Sequence, residues 1–312
     1  MSASTVAEQY PADWPTDLSL DGVSLTLAKG ETVAIVGESG CGKSTLAQCI
    51  MRLVEPTSGT VRIDGCDLTR ANAGALRASR RLMQIVFQNP YASLSPRRTV
   101  LLTLCDPLRL HRLRPRAERR DAVVELLRHV GLGPEFLDRY PHELSGGQQQ
   151  RVAIARALAV QPRVIICDEA VSALDVSVQA QVINVLLRLQ AEFGLSYLFI
   201  SHNLPLARRV SHRVAVMYLG QVVELADRTA LASGFAHPYS RALFEAAPVP
   251  DPARARNRAP PPVGEPPSPV DLPVGCRYQA RCAHRRDICV STPPPLRPVA
   301  DRLVRCHRVE EI

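Results

Sequence analysis

The 312-residue sequence has little lysine and few aromatic residues. Lys29 and Lys43 are the only lysines, so arginine supplies almost all of the positive charge behind a net charge of +8. Aromatic residues make up 4% of the chain, which leaves few side chains to stack on bases. The arginines are scattered, with denser runs at 77–84 and 109–120. We expect solvated helix faces and no nucleic-acid partner; docking onto another protein or acidic lipid headgroups is the alternative.

Long apolar segments are also missing. No stretch approaches the ~20 apolar residues that a membrane-spanning helix needs. The start, MSASTVAEQYPADW, lacks the basic and apolar regions of a secretion signal. The sequence therefore predicts a cytoplasmic protein whose role at a membrane, if it has one, comes through a partner. The apolar share of 46% is that of a globular protein with a real core.

Strand and helix patterns alternate along the first part of the chain. The runs TVAIVG, RVIICDE and LSYLFISH are short and apolar, as buried strands are. Helical spacing occurs at 44–54, over about 92–160 and at 178–194, where the pattern ends at a glycine. This alternation predicts an α/β core with a mainly parallel sheet and an inserted α-helical subdomain at about 92–160.

The composition changes near residue 248, and the cysteines divide around this point. Residues 248–273 are too rich in proline for a helix or a strand, and they predict an extended linker. Four cysteines lie within the last forty residues, with spacings C-x5-C-x6-C-x16-C: Cys276, Cys282, Cys289 and Cys306. The other five are spread upstream, where burial as small apolar side chains explains them: Cys41, Cys49, Cys66, Cys105 and Cys167.

The segment GESGCGKST (37–45) matches G-x-x-x-x-G-K-[ST], after an apolar strand and at the start of a helix. Glycines let the backbone wrap phosphates, while N–H groups and the helix dipole supply partial positive charge. Lys43 would reach the β- and γ-phosphates, and Ser44 would hold Mg²⁺. The predicted nucleotide-binding residues here are Gly37, Glu38, Ser39, Gly40, Cys41, Gly42, Lys43, Ser44 and Thr45.

Polar side chains come directly after the other predicted strands. Asp168 can hold Mg²⁺ through water, and Glu169 can orient and polarise an attacking water. His202 stands at the same predicted sheet edge, where its ring N–H can bond a γ-phosphate oxygen. Gln88, in the loop VFQNPYASLSPR, can contact Mg²⁺ and the water. Each residue alone is more typical of a solvated strand end or an ordinary loop. With Lys43 upstream, the set predicts nucleotide hydrolysis.

A second glycine-rich turn, in LSGGQQQR, precedes another predicted helix and suits an anion, but it has no lysine. Together with GESGCGKST, VFQNPYASLSPR, VIICDEAVSALD and ISH, it occurs in the order and approximate spacing of ABC transporter ATPases. The sequence resembles this family over about 18–230. Ala170 and Asn203 depart from the residues that many members carry, proline and aspartate respectively.

The resemblance implies how the second turn works. In this family two ATPase subunits pair head to tail and sandwich two nucleotides, and LSGGQ completes the partner's ATP site. The resemblance thereby implies phosphate contacts for Ser145, Gly146, Gly147 and Gln148. It also places Asp175 in the D-loop that links the two sites. An aromatic residue near the N-terminus stacks on adenine; Tyr10 fits the family's form, and Trp14 is the alternative. The family core also contains an antiparallel β portion.

The segments VFQNPYASLSPR, VSALDVSVQAQVINVLLRLQ and HPYSRALFEAAPVPDP look most like the ATPases of dipeptide and oligopeptide importers; relatives move nickel, glutathione or other small solutes. This implies a nucleotide-binding domain over 1–230 and a C-terminal extension over 231–312. The implied partners are a second ATPase subunit, as a heterodimer or homodimer, two transmembrane permease subunits and an external solute-binding protein. The implied location is peripheral, on the cytoplasmic face of the inner membrane.

Four clustered thiols in a cytoplasmic protein favour a metal over disulfides, although the spacing is looser than that of common zinc modules. The resemblance implies a [4Fe-4S] cluster on Cys276, Cys282, Cys289 and Cys306; zinc, free thiols and disulfides are the alternatives.

Two rival functions remain: a soluble ABC ATPase acting on ribosomes or DNA, and an iron–sulfur regulatory protein. One cassette per chain and about 57 residues between Gln88 and Ser145 disfavour the first.

Overall fold

The computed structural model describes residues 2–6, 20–246, 267 and 272–312. Tyr10, Trp14 and most of the linker predicted at 248–273 lie outside these residues. The chain forms two compact units, each assembled from separated segments. Unit 1 comprises Met1–Thr26, Thr32–Thr69 and Ser201–Ile312, and unit 2 comprises Leu27–Glu31 and Arg70–Ile200.

The secondary structure agrees with the alternation seen in the sequence. The strands are β1 (Ser2–Val6), β2 (Val23–Thr26), β3 (Thr32–Val36), β4 (Arg62–Ile63), β5 (Cys66–Asp67), β6 (Met83–Val86), β7 (Val164–Asp168), β8 (Ser196–Ile200), β9 (Arg213–Tyr218), β10 (Gln221–Asp227), β11 (Arg297–Val299) and β12 (Arg302–Val304). The α-helices are α1 (Lys43–Ile50), α2 (Ala73–Ser79), α3 (Pro90–Ser93), α4 (Val100–Leu110), α5 (Arg119–His129), α6 (Gly146–Leu158), α7 (Val176–Phe193), α8 (Leu204–Val210), α9 (Pro238–Glu245) and α10 (Asp287–Ser291).

Unit 1 contains strands from both ends of the chain. Strand β3 pairs in parallel with β9, and β9, β10, β12 and β11 continue in that order as antiparallel neighbours. All five residues of β3 are buried, as its unbroken apolar run predicts. The two last strands come from the cysteine-bearing tail, so this tail extends the same run of strands that leads to the phosphate loop.

Unit 2 contains three parallel strands in the order β8, β7, β6. Most of the helices between β6 and β7 belong to the segment predicted as an inserted helical portion, and α6 buries much of its length. Helix α7 ends at Gly194, whose φ of 64° is the left-handed conformation that glycine adopts without strain. The predicted fold class, a mainly parallel α/β core with an antiparallel portion and inserted helices, is confirmed.

The upstream cysteines match expectation with one clear exception. Cys41, Cys49 and Cys167 are buried, as predicted, and Cys105 is half-buried. For Cys66 the expected burial is wrong, since this residue is exposed. The reason is local: Cys66 begins a two-residue strand after a tight turn, which leaves no layer of structure over its side chain.

Candidate functional site

The phosphate loop lies between β3 and α1, where the sequence predicts it. Gly42, the residue before α1, has a φ of 97°, which glycine tolerates. Lys43 opens the helix and is 6% exposed. Its ammonium donates to the carbonyl oxygens of Gly37 (3.0 Å) and Glu38 (2.8 Å). The cation is thus held over the loop's own carbonyls, while Ser44 at the helix start is exposed.

The first glycine of the loop is required by packing. A Cβ on Gly37 would lie 2.2 Å from the carbonyl oxygen of Met217, which is backbone on the neighbouring strand β9. Because Val36 and Val216 are paired across these strands, neither backbone can withdraw without breaking the sheet. The loop therefore leaves β3 through a gap that only glycine fits.

Two residues of the C-terminal extension contact the phosphate loop, and sequence reasoning missed both. The Tyr239 hydroxyl accepts a hydrogen bond from the Glu38 N–H at 3.0 Å. The Arg281 guanidinium donates to both carboxylate oxygens of Glu38, at 2.9 and 3.0 Å. These contacts join positions 201 and 243 residues apart in sequence, a separation at which no local pattern carries a signal.

Asp168 ends β7, the central parallel strand of unit 2, and Glu169 follows it directly. Glu169 has a φ of 49°, a left-handed conformation that costs a residue with a side chain of order 1–3 kcal/mol. Hydrogen bonds hold it there: its N–H donates to Ile200 O (3.0 Å), and its carbonyl oxygen accepts from the Ser172 hydroxyl (2.9 Å). The turn therefore fixes the direction of the Glu169 side chain, which is half-buried.

His202 belongs to unit 1 and is exposed. Its neighbour Ser201 is buried and donates its N–H to Ile35 O of β3 at 3.1 Å, which anchors this segment beside the strand leading to the phosphate loop. Asn203 caps α8 because its side-chain oxygen accepts from Leu206 N (3.1 Å). Asparagine and aspartate cap helices about equally well, so this departure from the family pattern preserves the local structure.

Gln88 is exposed in the loop between β6 and α3. Helix α6 holds this loop at two points: Gln150 Nε2 donates to Phe87 O (3.4 Å), and the Arg156 guanidinium donates to Ser93 O. Burial lowers the pKa of Arg156. Beside the loop lies an open groove of about 460 Å³, whose lining includes Phe87, Arg98, Asp106, Leu110 and Arg156.

The second glycine turn starts α6. Ser145 and Gln148 form a capping box: Gln148 Oε1 accepts from Ser145 N (2.9 Å), and Ser145 Oγ accepts from Gln148 N (3.4 Å). Ser145 and Gly146 are exposed, whereas Gly147 is buried. The spacing of Ser145 and Gln148 is thus explained by the helix start, and the positive end of the helix dipole lies at exposed residues, with no basic residue within LSGGQ itself.

The start of α7 packs closely on this turn. A Cβ on Gly147 would lie 2.4 Å from Val178 Cγ1, and one on Gly146 would lie 3.2 Å from Leu174 Cδ2. Asp175, the residue before α7, is exposed and its side chain makes no capping hydrogen bond. The two predicted elements LSGGQ and SALD therefore lie against each other in unit 2.

The four tail cysteines converge on one cavity of about 10 Å³, room for about one water. Cys276 N donates to Cys289 O (2.8 Å), which brings two of them together. Burial raises the pKa of the Cys276 thiol to about 11, and the other three thiols add to the effect. In the described part of the chain, no three cysteine, histidine or carboxylate side chains are arranged as a metal-binding group. The donor set suits a soft metal, but the closed cavity would have to open around it.

The predicted site residues divide between the two units. Unit 1 carries the phosphate loop, His202 and the cysteine cluster; unit 2 carries Gln88, Ser145, Gly146, Gly147, Gln148, Asp168, Glu169 and Asp175. Among the described residues, no helix is both long and apolar enough to cross a bilayer.

A phosphate loop between a parallel strand and a helix, with an acidic pair ending another parallel strand, defines a P-loop nucleotide triphosphatase. The family model described as ABC transporter matches residues 20–172, and that of the oligopeptide/dipeptide transporter C-terminal region matches 223–289. The chain is 50% identical to a probable peptide ABC transporter ATP-binding protein of Sinorhizobium fredii, over 98% of this chain and 89% of that one. It is 47% identical to the di/tripeptide transport ATP-binding protein DppF of Pseudomonas aeruginosa, over 94% and 90%.

Among solved structures, the chain resembles the ATP-binding cassette MJ0796, a dimer in a post-hydrolysis state bound to ADP and Pi. The TM-score is 0.65 at 33% identity, covering 73% of this chain and 98% of that one. The chain therefore belongs to the ATP-binding proteins of the ABC transporter family, and it is an ATPase of this type.

Proposed function

We propose that the chain is the ATP-hydrolysing subunit of an ABC importer for dipeptides or oligopeptides. The carrying observation is the phosphate loop itself, with a buried Lys43 at the start of α1, in a chain that also matches the peptide-transporter C-terminal region. The names of the relatives, which refer to peptide and di/tripeptide transport, support the substrate class. Nickel, glutathione or another small solute is the alternative cargo.

Hydrolysis of ATP at such sites depends mainly on positioning and charge stabilisation. We assign Lys43 to the β- and γ-phosphates and the loop 37–45 to the phosphate cradle. The donors of this cradle are its backbone N–H groups other than those of Glu38 and Cys41, which donate within the protein. Ser44, Gln88 and Asp168 are the proposed Mg²⁺ ligands; bound there, Mg²⁺ would neutralise phosphate charge. The strained backbone of Glu169 supports its assignment as the residue that orients the attacking water, because strain at a fixed carboxylate favours a functional role.

His202 is assigned to the γ-phosphate, in agreement with its exposure and with the anchoring of Ser201 to β3. For adenine stacking, Tyr10 remains the proposal and Trp14 the alternative; both lie outside the described residues. Loss of ATP affinity in Tyr10→Ala, with normal affinity in Trp14→Ala, would support Tyr10. The domain boundary near residue 230 also remains a proposal.

A paired arrangement is the natural consequence of the second glycine turn. The N-terminus of α6 is exposed and carries no cation, so it binds a phosphate weakly by itself. It would serve instead to recognise ATP whose phosphates Lys43 of a second ATPase subunit already holds. Ser145, Gly146, Gly147 and Gln148 are the proposed contacts, with Asp175 linking the two sites. The solved cassette MJ0796 is dimeric, which supports this arrangement. The second subunit is either another copy or a different ATPase.

The groove beside Gln88 is the proposed docking surface for the transmembrane permease subunits. Phe87 and Leu110 are 39% and 61% exposed there, and Arg98 pairs with Asp106 at 2.6 Å within the same lining. Exposed apolar side chains beside charged ones suit a loop of another protein. Helix α6 begins at the second glycine turn and holds this loop through Gln150. A movement of the turn when the two ATPase subunits close can therefore be transmitted to the groove. The proposed location is the cytoplasmic face of the inner membrane, with an external solute-binding protein selecting cargo.

We also propose that Cys276, Cys282, Cys289 and Cys306 hold a [4Fe-4S] cluster, which would supply redox-sensitive iron. Their convergence on one cavity supports it. Burial and the neighbouring thiols raise the pKa of the Cys276, Cys282 and Cys306 thiols, so a bound metal cation would have to stabilise their thiolate forms. Anaerobic purification with iron analysis and visible absorption tests the proposal. Colourless protein free of iron would contradict it, and zinc in its place would support the structural-metal alternative.

The main test is Glu169→Gln, which replaces the charged carboxylate with a neutral amide of nearly the same size. We expect normal ATP binding, loss of turnover and accumulation of a closed dimer, measured by phosphate release and gel filtration. Normal turnover would remove Glu169 from its role.

Co-purification of permease subunits from a membrane extract supports transport over a ribosome- or DNA-acting ATPase. Measuring ATPase activity with Cys276 and Cys282 intact and replaced distinguishes the importer from an iron–sulfur regulator with little turnover.

A further inference from the structure

A carboxylate inside a phosphate loop is electrostatically unfavourable, because it repels the phosphates that the loop must bind. Glu38 is the second residue of GESGCGKST, and its side chain is 26% exposed. Its backbone carbonyl accepts from Lys43, so the lysine does not neutralise the carboxylate directly. Some other cation must compensate this charge if ATP is to bind well.

Arg281 is that cation. Its two terminal nitrogens bond the two carboxylate oxygens of Glu38 at 2.9 and 3.0 Å, the paired geometry that arginine forms with carboxylates. The Arg281 side chain is 6% exposed and that of Glu38 is 26% exposed, so solvent screens the pair only in part. The Glu38 carboxylate raises the pKa of the Arg281 guanidinium, as expected for a close opposite charge.

The arginine is held by a cluster of tyrosines. Its guanidinium lies 6.0 Å from the centre of the Tyr218 ring. Tyr218 packs against Tyr239 and Tyr278, with ring centres 4.5 and 5.4 Å away. Tyr239 is the residue whose hydroxyl accepts from the Glu38 N–H, so one cluster fixes both the main chain and the side chain of Glu38.

The same tail segment supports the far side of the loop. Arg277 is 8% exposed, bonds the Asp21 carboxylate at 2.5 Å and donates to Leu219 O. The next residue, Gly220, donates its N–H to Cys41 O in the phosphate loop at 3.0 Å. The segment from 277 to 281 therefore supports the loop at Glu38 directly and at Cys41 through the 219–220 turn.

We infer that the tail segment 277–281 is part of the nucleotide site, and that Arg281 is a positioning residue that sets ATP affinity by neutralising Glu38. This rests on the proposed role of the phosphate loop. Arg281 directly precedes Cys282, whose side chain packs against the same tyrosine core. Through this contact, the position of Arg281 beside the phosphate loop depends on whether the cysteine cluster holds a metal or free thiols.

The test compares charge variants of the purified full-length chain, with Mg-ATP affinity measured by calorimetry and ATPase activity as kcat and KM. We expect Arg281→Ala to raise Kd and KM about tenfold, as one uncompensated charge near the phosphates would. The kcat should change less than about twofold, and the loss should shrink at high salt. Arg281→Lys should recover part of the affinity, since it keeps the charge but not the paired geometry.

The decisive variant is the double substitution Glu38→Gln with Arg281→Ala, which removes both charges. We expect its ATP affinity to return to within about twofold of wild type, because the repulsion is gone. An affinity as weak as that of Arg281→Ala alone would overturn the electrostatic role, and wild-type affinity in Arg281→Ala would overturn the inference altogether.

Two further variants separate the possible failures. Arg297→Ala is the matched control, because Arg297 also pairs with one carboxylate in the tail, Glu310 at 2.8 Å, but does not touch the loop. Its ATP affinity should equal that of wild type. Lys43→Ala tests the proposed function itself: undiminished ATP binding in that variant would refute the role of the phosphate loop, whereas lost binding there and unchanged affinity in Arg281→Ala would refute only the inference.

Discussion

Gly147→Ala separates two explanations of the second glycine turn. The added Cβ would lie 2.4 Å from Val178 Cγ1, closer than carbon atoms pack. Valine is stiff at χ1, so it relieves the clash only by moving the first turn of α7. Such overpacking costs about 1–3 kcal/mol. Alanine's better helix propensity returns up to about 1 kcal/mol, which leaves a net destabilisation of about 0–2 kcal/mol.

The partner substitution makes the prediction specific. Val178→Ala alone should cost about 1 kcal/mol, because it removes partly buried methyl groups. In the double variant the new methyl group occupies the space vacated by valine, so the two effects should not add. We expect a favourable coupling of about 1–2 kcal/mol in urea unfolding monitored by circular dichroism. Additive effects would refute the clash.

Activity provides the second measurement. If Gly147 serves only to pack against α7, the double variant should regain ATPase activity along with its stability. On the proposed role in recognising the partner's phosphate, the double variant folds normally but stays below about a tenth of wild-type activity, because a residual shift of the turn misplaces the backbone N–H groups, which alanine keeps, relative to the phosphate. Gly146→Ala is the comparison, since its Cβ would meet only the flexible end of Leu174 at 3.2 Å. It should be nearly as stable as wild type and equally impaired in activity.

Two other perturbations have clear expected outcomes. Gly37→Ala should lose about 3 kcal/mol or more of stability, because its Cβ would lie 2.2 Å from the backbone oxygen of Met217; an unchanged melting temperature would contradict this packing. Alkylation of native protein at pH 8 should modify the exposed Cys66 first and leave Cys167 untouched, since burial raises the pKa of Cys167 to about 12. Early modification of Cys167, detected by mass spectrometry, would refute that burial.

The sequence was informative where structure is local. Unbroken apolar runs predict β3, β7 and β8, because strands buried on both faces need no alternation. The loop before α1 and the glycine after α7 are short-range features, so neighbouring residues determine their positions. In the first arginine-dense run, Arg77 on α2 and Arg80 directly after it are exposed, as predicted for solvated faces, whereas Arg81 is half-buried.

Long-range contacts were not predictable, and the tail shows why. A proline-rich stretch suggests that the tail beyond it is a separate appendage, whereas β11 and β12 extend the strands of unit 1. Each of these strands has three residues, too few for any periodicity. Arg281 and Arg302 resemble the other scattered arginines in sequence, but both are buried in ion pairs, with Glu38 and Glu224. Only the fold identifies which arginines are structural.

The two proposed phosphate cradles also differ in a way that bears on the proposed ATPase cycle. Lys43 gives the first a permanent cation, whereas the start of α6 offers only backbone dipoles and the Ser145 hydroxyl. A helix N-terminus contributes about 0.3–1 kcal/mol to holding an anion, too little to retain a phosphate alone. On the proposed pairing, closure therefore requires ATP already held by a lysine elsewhere. On the same proposal, release of the cleaved γ-phosphate removes the ligand that this weak cradle recognises, so we expect the pair to open once that phosphate has left.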